Sequence, residues 1–385
     1  MAERAIHWVG TGLSSGPGLR RLIDAGRRVV VWNRTVGKAR EAVAAREVDI
    51  RAFTPEALRQ AVGKGDVVVS MLPADRHVAL ALMCVERCAH FVSSSYVSPG
   101  MRELDEAAQE VGVVLMNEVG LDPGIDHLMA HDLVADYRLL AEDGDTVDLT
   151  SYCGGIPKAP NPFRYKFSWS PLGVLRALRA PSLSLKGGAR HAVARPWQAI
   201  TAYNAPLPVP ERFEVYPNRD SLPFIAQYGL DPAWRIRDFV RGTIRPEGWQ
   251  EAWAEVFRAV ERLEGEDSEA RLAEMAERFW RENAYEPGEP DRVVLCVGLR
   301  AERDGTPVFH KEWVLDAQGD EGGSAMARLV SVPVALAAEA VAAGDLPPGL
   351  HVATGDPQLV AEWLAEIGGI AQHIARVDHL AGAPD

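Results

Sequence analysis

The chain reads Ile6-His7-Trp8-Val9-Gly10-Thr11-Gly12-Leu13-Ser14-Ser15-Gly16-Pro17-Gly18 near its N-terminus. The first four of these residues have the character of a strand, and the residues after Gly18 are typical of a helix. A glycine-rich turn between a strand and a helix is suited to phosphate, because the helix N-terminus supplies free N–H donors and a positive dipole end. The stretch therefore predicts a dinucleotide-binding turn.

The residues of this turn have separate expected roles. Gly10 permits the tight turn, and Gly12 lets the backbone approach a pyrophosphate. Ser15 stands where the strict pattern has its third glycine, and its small side chain still allows close packing of the helix. Leu13 and Ser14 complete the predicted cofactor-binding turn.

A second pattern occupies the same residues. Gly12-Leu13-Ser14-Ser15-Gly16 matches the G-x-S-x-G nucleophile elbow of α/β-hydrolases, in which Ser14 would be the nucleophile. Such an elbow follows several strands, with the catalytic acid and histidine after it in the chain, whereas this match lies on the first strand. The pattern therefore favours nucleotide binding over hydrolysis.

Short β-branched runs alternate with helical segments through residues 4–117. This alternation is typical of βαβ units and predicts an α/β fold with a Rossmann-type parallel sheet. Ligands of such sheets bind beyond the carboxyl ends of the strands, where Leu72 and Pro73 fall. The predicted strands are residues 5–9, 28–32, 48–51, 66–72, 90–94 and 113–116.

The end of the second predicted strand indicates which cofactor is used. An NAD enzyme usually carries Asp or Glu there for the ribose 2′-hydroxyl, whereas this chain has Asn33-Arg34-Thr35. Arg34 suits a 2′-phosphate, because guanidinium binds phosphate oxygens with charge-assisted hydrogen bonds. These three residues predict NADP, and the alternative is that Arg34 is only a solvated loop residue.

The composition changes after residue 145, which indicates a second, mixed α/β domain. Within it, residues from about 246 to 290 are rich in Glu, Ala, Arg and Trp and predict a helical insertion. Its aromatic stripes are interpreted as helix core and its acidic positions as a solvated face. The stripe residues are Trp249, Trp253, Phe257, Val260 and Leu263, followed by Leu272, Met275, Phe279 and Trp280.

Composition restricts the possible partners. The chain has 385 residues and a formal net charge of −13, with 41 basic against 54 acidic residues, so nucleic acid is not an expected partner. Charged residues and Pro333 interrupt the longest apolar stretch, residues 326–343, which is therefore interpreted as a buried helix and not a membrane span. We expect a cytoplasmic protein, because no secretion signal is evident at the N-terminus.

The chain contains four cysteines, and their spacing does not predict a disulfide framework or a metal site. Cys84 and Cys88 lie four residues apart, but no second pair follows at zinc-site spacing. His127 and His131 are also four apart, yet the Glu of a zincin helix is missing between them. We expect no metal.

Longer strings then identify a family. The chain resembles the saccharopine dehydrogenases of the NADP-dependent, glutamate-forming kind, and the similarity extends from the first strand to about residue 245. The matching strings are Ser94-Ser95-Tyr96-Val97-Ser98-Pro99, Met116-Asn117-Glu118-Val119-Gly120-Leu121-Asp122-Pro123-Gly124-Ile125-Asp126-His127, Ser151-Tyr152-Cys153-Gly154-Gly155, Tyr165-Lys166-Phe167-Ser168-Trp169-Ser170, Tyr216-Pro217-Asn218-Arg219-Asp220-Ser221 and Val240-Arg241-Gly242-Thr243.

The resemblance implies an architecture and a reaction. A Rossmann domain would comprise residues 1–125 and 345–385, so that the C-terminal segment completes it, and a mixed α/β substrate domain with the helical insertion would comprise residues 126–344. The family's reaction joins L-glutamate to α-aminoadipate semialdehyde as an imine, which NADPH reduces to saccharopine, or the reverse.

The resemblance also implies site residues. Tyr96, Asp122 and Cys153 would lie about the reacting carbon, and Asn218, Arg219, Arg241 and Thr243 would hold substrate carboxylates. This chain has Pro171-Leu172 where the family often has a polar residue and Arg, which leaves the fine substrate specificity open.

Taken alone, the same residues have simpler interpretations. Asp122 before a proline could only stabilise a turn, His127 could relay a proton or cap a helix, and Cys153 could be a small packed residue. Lys166 could bind a substrate carboxylate or lie along the surface. Arg219 could form an ion pair with Asp220, although its planar guanidinium suits a carboxylate.

Three alternatives to saccharopine turnover stay open at this point. The chain could be a related opine or polyamine-type imine reductase with another amine and carbonyl pair, a non-catalytic NADP-binding regulator, or the hydrolase that Ser14 would serve. The expected partner is a small acidic substrate, and a homodimer is expected for this type of enzyme.

Overall fold

The computed structural model describes residues 4–381. The described residues divide into two compact units, the first comprising residues 4–128 and Glu321–Ile370 and the second comprising Met129–Asp320 and residues 371–381. The predicted Rossmann domain also included residues 1–3 and 382–385, which lie outside the described residues.

Strands and helices alternate through the first 138 residues. The strands are β1 (Ile6–Val9), β2 (Val29–Asn33), β3 (Asp49–Ala52), β4 (Val67–Ser70), β5 (His90–Ser93) and β6 (Val114–Met116). The helices are α1 (Gly16–Asp24), α2 (Val36–Val43), α3 (Pro55–Ala61), α4 (His77–Glu86), α5 (Pro99–Arg102), α6 (Asp105–Val111) and α7 (Ile125–Arg138). The strands are parallel in the order β6-β5-β4-β1-β2-β3, which is the predicted Rossmann arrangement.

The start of α3 shows how local sequence defines an element. Thr54 has an extended backbone, and its hydroxyl accepts a hydrogen bond from Ala57 N at 3.1 Å. Pro55 occupies the first helical position, where an N–H would have no partner within the helix. Sequence alone therefore determines where this helix begins.

The second unit is built on a mixed sheet. Its strands are β7 (Thr146–Pro157), β8 (Ser182–Lys186), β9 (Ala189–Val193), β10 (Thr201–Ala205), β11 (Glu211–Pro217), β12 (Arg235–Pro246), β13 (Asp291–Arg303) and β14 (Thr306–Gln318). Its helices are α8 (Pro171–Arg179), α9 (Pro223–Gln227), α10 (Trp249–Ala252), α11 (Ala254–Glu261) and α12 (Ser268–Asn283). The main order is β10-β11-β12-β7-β13-β14, in which β12 and β7 are parallel and the other pairs antiparallel.

The helical insertion contains α10, α11 and α12. Its aromatic stripe forms a core, as predicted, with Trp249 and Trp253 completely buried. The first predicted helix is divided at Trp253, which separates α10 from α11. Trp280 differs from the prediction, because 37% of it is exposed.

The C-terminal elements are divided between the two units. They are α13 (Ala325–Ala343), β15 (Gly349–His351), α14 (Pro357–Gly368) and β16 (His373–Asp378). Strand β15 pairs in parallel with β6 and so completes the first sheet, as predicted. Strand β16 instead pairs antiparallel with β14 of the second sheet.

These pairings correct both predicted domain boundaries. The predicted Rossmann segment 345–385 is too long, because β16 satisfies its backbone hydrogen bonds on the edge of the second sheet. The predicted substrate domain 126–344 is also too long, because α13 packs against α1 and belongs to the first unit. The helix is 19 residues long and apolar enough to cross a membrane, but 83% of its most apolar window is buried inside the protein.

Candidate functional site

The glycine-rich turn follows β1 and leads into α1. Gly10 has a backbone φ of +99°, which residues other than glycine rarely adopt. A Cβ atom at this position would also lie 3.1 Å from the backbone of Met71. Around Gly12, no atom of residues 4–381 apart from its chain neighbours lies within 4 Å of the position that a Cβ atom would take. The turn is therefore closed on the side of Gly10 and open at Gly12.

Ser15 does more than replace a glycine. Its buried hydroxyl donates to Gly10 O at 2.9 Å and accepts from Trp8 Nε1 at 2.7 Å. Trp8 Nε1 also contacts Gly10 O at 3.1 Å. These hydrogen bonds hold the beginning and end of the turn together, so Ser15 stabilises the loop that it was predicted to fit passively.

The turn fits the phosphates of a dinucleotide. The Ser15 side chain does not cap α1, Pro17 has no N–H, and Gly18 N already donates to Ser331 Oγ at 2.8 Å. The N–H of Gly16 is therefore the donor at the start of α1 that can bind an anion. Thr11 Oγ1 is buried and has no hydrogen-bond partner within residues 4–381. A buried hydroxyl of this kind normally has a partner, and a phosphate oxygen at the turn would supply one.

The other predicted cofactor residues border the same edge of the first sheet. Asn33 Nδ2 donates to Thr35 O at 2.9 Å, which shapes the loop after β2. Arg34 is exposed and forms no ion pair within the described residues. Leu72 lies at the turn itself, because its Cδ2 atom is 3.2 Å from the position of a Cβ at residue 10, and Pro73 follows it.

Tyr96 and Asp122 are brought together by two loops that follow neighbouring strands. Tyr96 follows β5 and Asp122 follows β6, and the Tyr96 hydroxyl donates to Asp122 Oδ1 at 3.0 Å. Both side chains are half-buried. A phenol hydrogen-bonded to a carboxylate can exchange a proton with a bound group, so the pair could serve acid and base chemistry.

Beside this pair is a buried polar group that contains His127 and also Glu118, which sequence reasoning missed. Glu118 is 3% exposed, and its Oε2 lies 3.0 Å from His127 Nε2. His127 Nδ1 in turn lies 3.5 Å from Asp126 Oδ2, and Asp126 Oδ1 accepts from Gly124 N at 2.7 Å. The available signal was an acidic residue that comes two positions after a fully buried strand.

In the second unit, β7 and β12 bring three predicted residues onto one sheet face. Cys153 is the parallel register partner of Thr243, and Ser151 is the partner of Arg241. Because successive strand residues alternate between faces, Cys153, Thr243 and Arg241 share a face. Arg241 is 4% exposed, and its guanidinium carbon lies 4.0 Å from the centre of the Phe224 ring.

Asn218 and Arg219 belong to the loop after β11. Asn218 N donates to Arg241 O at 2.9 Å, which joins this loop to β12. Arg219 is exposed and has a left-handed backbone with a φ of +58°, and its carbonyl accepts from Leu183 N at 2.8 Å. The backbone of this loop is therefore fixed by β8 and β12.

Lys166 has a partner in the protein. Its Nζ lies 2.6 Å from Glu289 Oε2, and this contact lowers the pKa of the Glu289 carboxyl. The amine also lies 5.8 Å from the centre of the Tyr285 ring. A substrate carboxylate would have to compete with Glu289 for this cation.

The hydrolase interpretation has no support in the geometry of Ser14. Within residues 4–381, no histidine is hydrogen-bonded to the Ser14 hydroxyl, as a nucleophile elbow would require. The same residues hold no cluster of three or more His, Cys, Asp or Glu side chains that could bind a metal ion. All four cysteines are free thiols.

Family models match both units. The model of the saccharopine dehydrogenase NADP binding domain matches residues 6–116, and the model of the saccharopine dehydrogenase C-terminal domain matches residues 120–370. Together they match residues 6–370 except residues 117–119.

Curated relatives include saccharopine dehydrogenase [NADP(+), L-glutamate-forming] from Pyricularia oryzae, which is 38% identical over 256 residues, covering 65% of this chain and 56% of that protein. The enzyme of the same name from Saccharomyces cerevisiae is 37% identical, with 51% of this chain and 43% of that protein covered. Mouse mitochondrial alpha-aminoadipic semialdehyde synthase is 36% identical over 51% of this chain and 21% of its own length. The chain thus spans about half or less of the length of each of these relatives.

Solved structures share the fold along the whole chain. The apo saccharopine dehydrogenase (L-Glu forming) from Saccharomyces cerevisiae has a TM-score of 0.80 and 26% identity, covering 97% of this chain and 100% of that one. A homospermidine synthase from Legionella pneumophila in complex with NAD has a TM-score of 0.62 at 11% identity, covering 100% of this chain and 94% of that one. This second similarity concerns the fold alone.

Proposed function

The chain belongs to the saccharopine dehydrogenase family, and we propose that it interconverts saccharopine with L-glutamate and α-aminoadipate semialdehyde, using NADP. The family, the two-part α/β fold and the NADP binding domain predicted from the sequence are confirmed. We further propose which substrate it uses and which residues bind the cofactor, bind the substrate and transfer protons.

The hydrogen bond between Tyr96 and Asp122 is the observation that supports this function most directly. It lies in the loops after β5 and β6, beyond the carboxyl ends of the strands, where ligands of parallel sheets bind. Imine formation and hydrolysis both require protons to be moved to and from the oxygen and nitrogen atoms of the carbinolamine. Tyr96 and Asp122 are the pair that we assign to this transfer.

The cofactor would be held by the first unit. The turn from Gly10 to Ser15 and the start of α1 would hold the pyrophosphate, and Arg34 would bind the 2′-phosphate. When bound, the nicotinamide supplies or accepts the hydride. The protein's own residues position the reactants and exchange protons, and no metal is required for either task.

An acidic substrate needs cations, because the whole chain carries a net charge of −13. We assign substrate carboxylates to Arg241 and Arg219, with Asn218 and Thr243 beside them. Arg241 is rigid, because it is buried against Phe224, whereas Arg219 is exposed on a fixed backbone. We assign a packing role near the substrate to Cys153, since hydride transfer needs no thiol nucleophile. Lys166 is a weaker candidate, because it already pairs with Glu289.

The deciding experiment follows the absorbance of NADPH when the purified protein receives saccharopine and NADP at alkaline pH. NAD and a panel of other opines are compared in parallel. We expect turnover with saccharopine, a preference for NADP, and a large loss of kcat in Tyr96→Phe and Asp122→Asn. Cofactor binding without turnover of any substrate would favour a non-catalytic regulator instead.

The neighbourhood of Leu172 supports a second candidate. Leu172 lines a cleft of about 380 Å³ between α8 and α12, together with Trp280 and Arg281. Pro171-Leu172 stand where the family often has a polar residue and Arg, and this departure favours a related imine reductase with a different amine or carbonyl substrate. Turnover of another opine in the panel, and not of saccharopine, would select this candidate.

We also propose that the protein acts in the cytoplasm as a homodimer and without a membrane anchor. Four free thiols support a reducing compartment, and the burial of α13 supports a core helix. Analytical ultracentrifugation at micromolar concentration tests the dimer, and a monomer at all concentrations would contradict it. Cell fractionation tests the compartment.

A further inference from the structure

Glu118 holds the backbone on both sides of Tyr96. Its own N–H donates to Ser95 O at 3.1 Å, and its Oε1 accepts from Val97 N at 2.9 Å. One residue therefore fixes the peptide before Tyr96 and the peptide after it. We call this pair of contacts the Glu118 bracket.

The other carboxylate oxygen of Glu118 reaches the loop that carries Asp122. Oε2 lies 3.0 Å from Nε2 of His127, which is completely buried in the first turn of α7. That turn closes the Asp122 loop, because Ile125 N donates to Gly120 O at 3.0 Å. A single side chain thus ties together the two loops that supply Tyr96 and Asp122.

The backbone of Glu118 adopts a conformation that is unfavourable for this residue type. Its φ is +59°, in the left-handed region that favours glycine, and the residue is almost fully buried. Such strain persists only where surrounding contacts compensate for it, and it is concentrated at functional sites. The bracket and the contact with His127 provide that compensation.

We propose that Glu118 is a positioning residue that holds the Tyr96 hydroxyl against Asp122, with His127 fixing its second oxygen. This inference rests on the proposed function, because it assigns proton transfer to Tyr96 and Asp122. Glu118 acts through the loop backbone that carries Tyr96.

Two substitutions at Glu118 test whether its hydrogen-bond acceptor, and not its negative charge, positions Tyr96. Glu118→Gln keeps an oxygen that can accept from Val97 N, so we expect kcat within about threefold of the wild type. Glu118→Ala removes that acceptor and frees the Tyr96 loop, and we expect kcat to fall about 100-fold, since misplacement by about 1 Å costs that much. The KM for saccharopine and the Kd for NADPH should stay within about threefold of the wild-type values.

A double mutant tests whether Glu118 acts through Tyr96. If it does, Glu118→Ala combined with Tyr96→Phe loses no more kcat than Tyr96→Phe alone. Losses that multiply would overturn the proposal, because they would mean an independent role for Glu118. Should Glu118→Ala fail to fold, Glu118→Asp replaces it, since the shorter side chain cannot keep both contacts.

A ¹⁹F NMR measurement on the protein without substrate tests the role of Glu118 independently of whether the protein turns over saccharopine. The chain has eight tyrosines, so protein labelled with 3-fluorotyrosine should give eight ¹⁹F resonances, of which Tyr96→Phe identifies one. We expect Glu118→Ala to shift or broaden the Tyr96 resonance and Glu118→Gln to leave it in place. An unchanged Tyr96 resonance in Glu118→Ala overturns the inference, whether or not the wild type turns over saccharopine.

Asp66 offers a matched control in the same unit. It accepts hydrogen bonds from Ala5 N at 2.9 Å and from Gly63 N at 2.7 Å, and it lies 3.2 Å from His7 Nε2, so its contacts resemble those of Glu118. It precedes β4 and therefore lies at the amino edge of the sheet. Asp66→Ala should lower stability while kcat and the Tyr96 resonance stay unchanged, and an equal loss of kcat in this control would overturn the inference.

Discussion

Gly18 of α1 and Ser331 of α13 are in direct contact. Gly18 N donates to the buried Ser331 Oγ at 2.8 Å, and a Cβ atom at residue 18 would lie 1.9 Å from Ser331 O. The two residues are separated by 313 positions in the chain. The helix that starts at the nucleotide-binding turn is therefore packed against a helix from the C-terminal part of the sequence.

Gly18→Ala should destabilise the protein, because the added methyl group overlaps backbone atoms that cannot move without separating α1 from α13. We expect the free energy of unfolding to fall by about 1–3 kcal/mol, the usual cost of overpacking. Urea denaturation measures this change. Gly37→Ala is the matched control, since a Cβ atom there meets nothing within 4 Å. Equal effects of the two substitutions would contradict the packing argument.

Arg34→Ala should weaken NADPH binding without affecting NADH. The exposed guanidinium would lose charge-assisted hydrogen bonds to the 2′-phosphate, worth about 1.5–3 kcal/mol, or roughly 10- to 150-fold in Kd. Quenching of protein fluorescence by each nucleotide gives the two Kd values. Arg28→Ala is the control, because Arg28 is also exposed but precedes the first residue of β2, whereas Arg34 follows the last. A parallel loss of NADH affinity would contradict the assignment.

Arg219→Ala should raise the KM for saccharopine about 30-fold while the Kd for NADPH stays constant. The expected size corresponds to about 2 kcal/mol for one lost contact between a guanidinium and a carboxylate. Steady-state kinetics and cofactor titration separate the two effects. Arg212→Ala is the control, since Arg212 is exposed and pairs with Glu247 at the surface. Unchanged kinetics in Arg219→Ala would remove Arg219 from the substrate site.

The stability of the first unit should depend on pH through His90. Burial, with a smaller contribution from Arg4, lowers the pKa of His90 to about 4. Below about pH 6.5, His90 is protonated in the unfolded chain, whereas in the folded chain it stays neutral down to about pH 4. Stability therefore falls as the pH falls through this window, by about 3 kcal/mol.

Urea denaturation at pH 7.5 and pH 4.5 measures this dependence. His90→Gln removes the titrating group and should flatten the difference between the two pH values, although it also weakens the contact with Val114 N. A pH dependence that is the same in His90→Gln would assign the effect to other groups.

Much of the fold follows from local sequence. The six N-terminal strands and the turn at Gly10 were predicted, because periodicity and glycine spacing act over a few residues. The start of α3 at Thr54 is equally local, since it depends on capping by one side chain. The aromatic stripe of the insertion was also predicted as core, since its spacing matches one face of a helix. The assignment of β16 and α13 to their units could not be predicted, because it depends on which distant surface each segment packs against.

The candidate site combines residues that the sequence singled out with one that it did not. Sequence strings identified Tyr96 and Asp122, and the fold brings them to 3.0 Å. Glu118 was part of one of these strings and received no role. Its function depends on contacts with Val97 and His127, which lie 21 residues before and nine after it.

The sequence by itself determined the elements, the nucleotide-binding turn and the family, because each is encoded in residues that are close together in the chain. Only the tertiary structure decided that Lys166 pairs with Glu289, that β16 joins the second sheet and that Glu118 braces Tyr96. These outcomes depend on which buried donors and acceptors meet after folding. A buried polar group must find a partner wherever the fold provides one, and that partner has no fixed distance along the sequence.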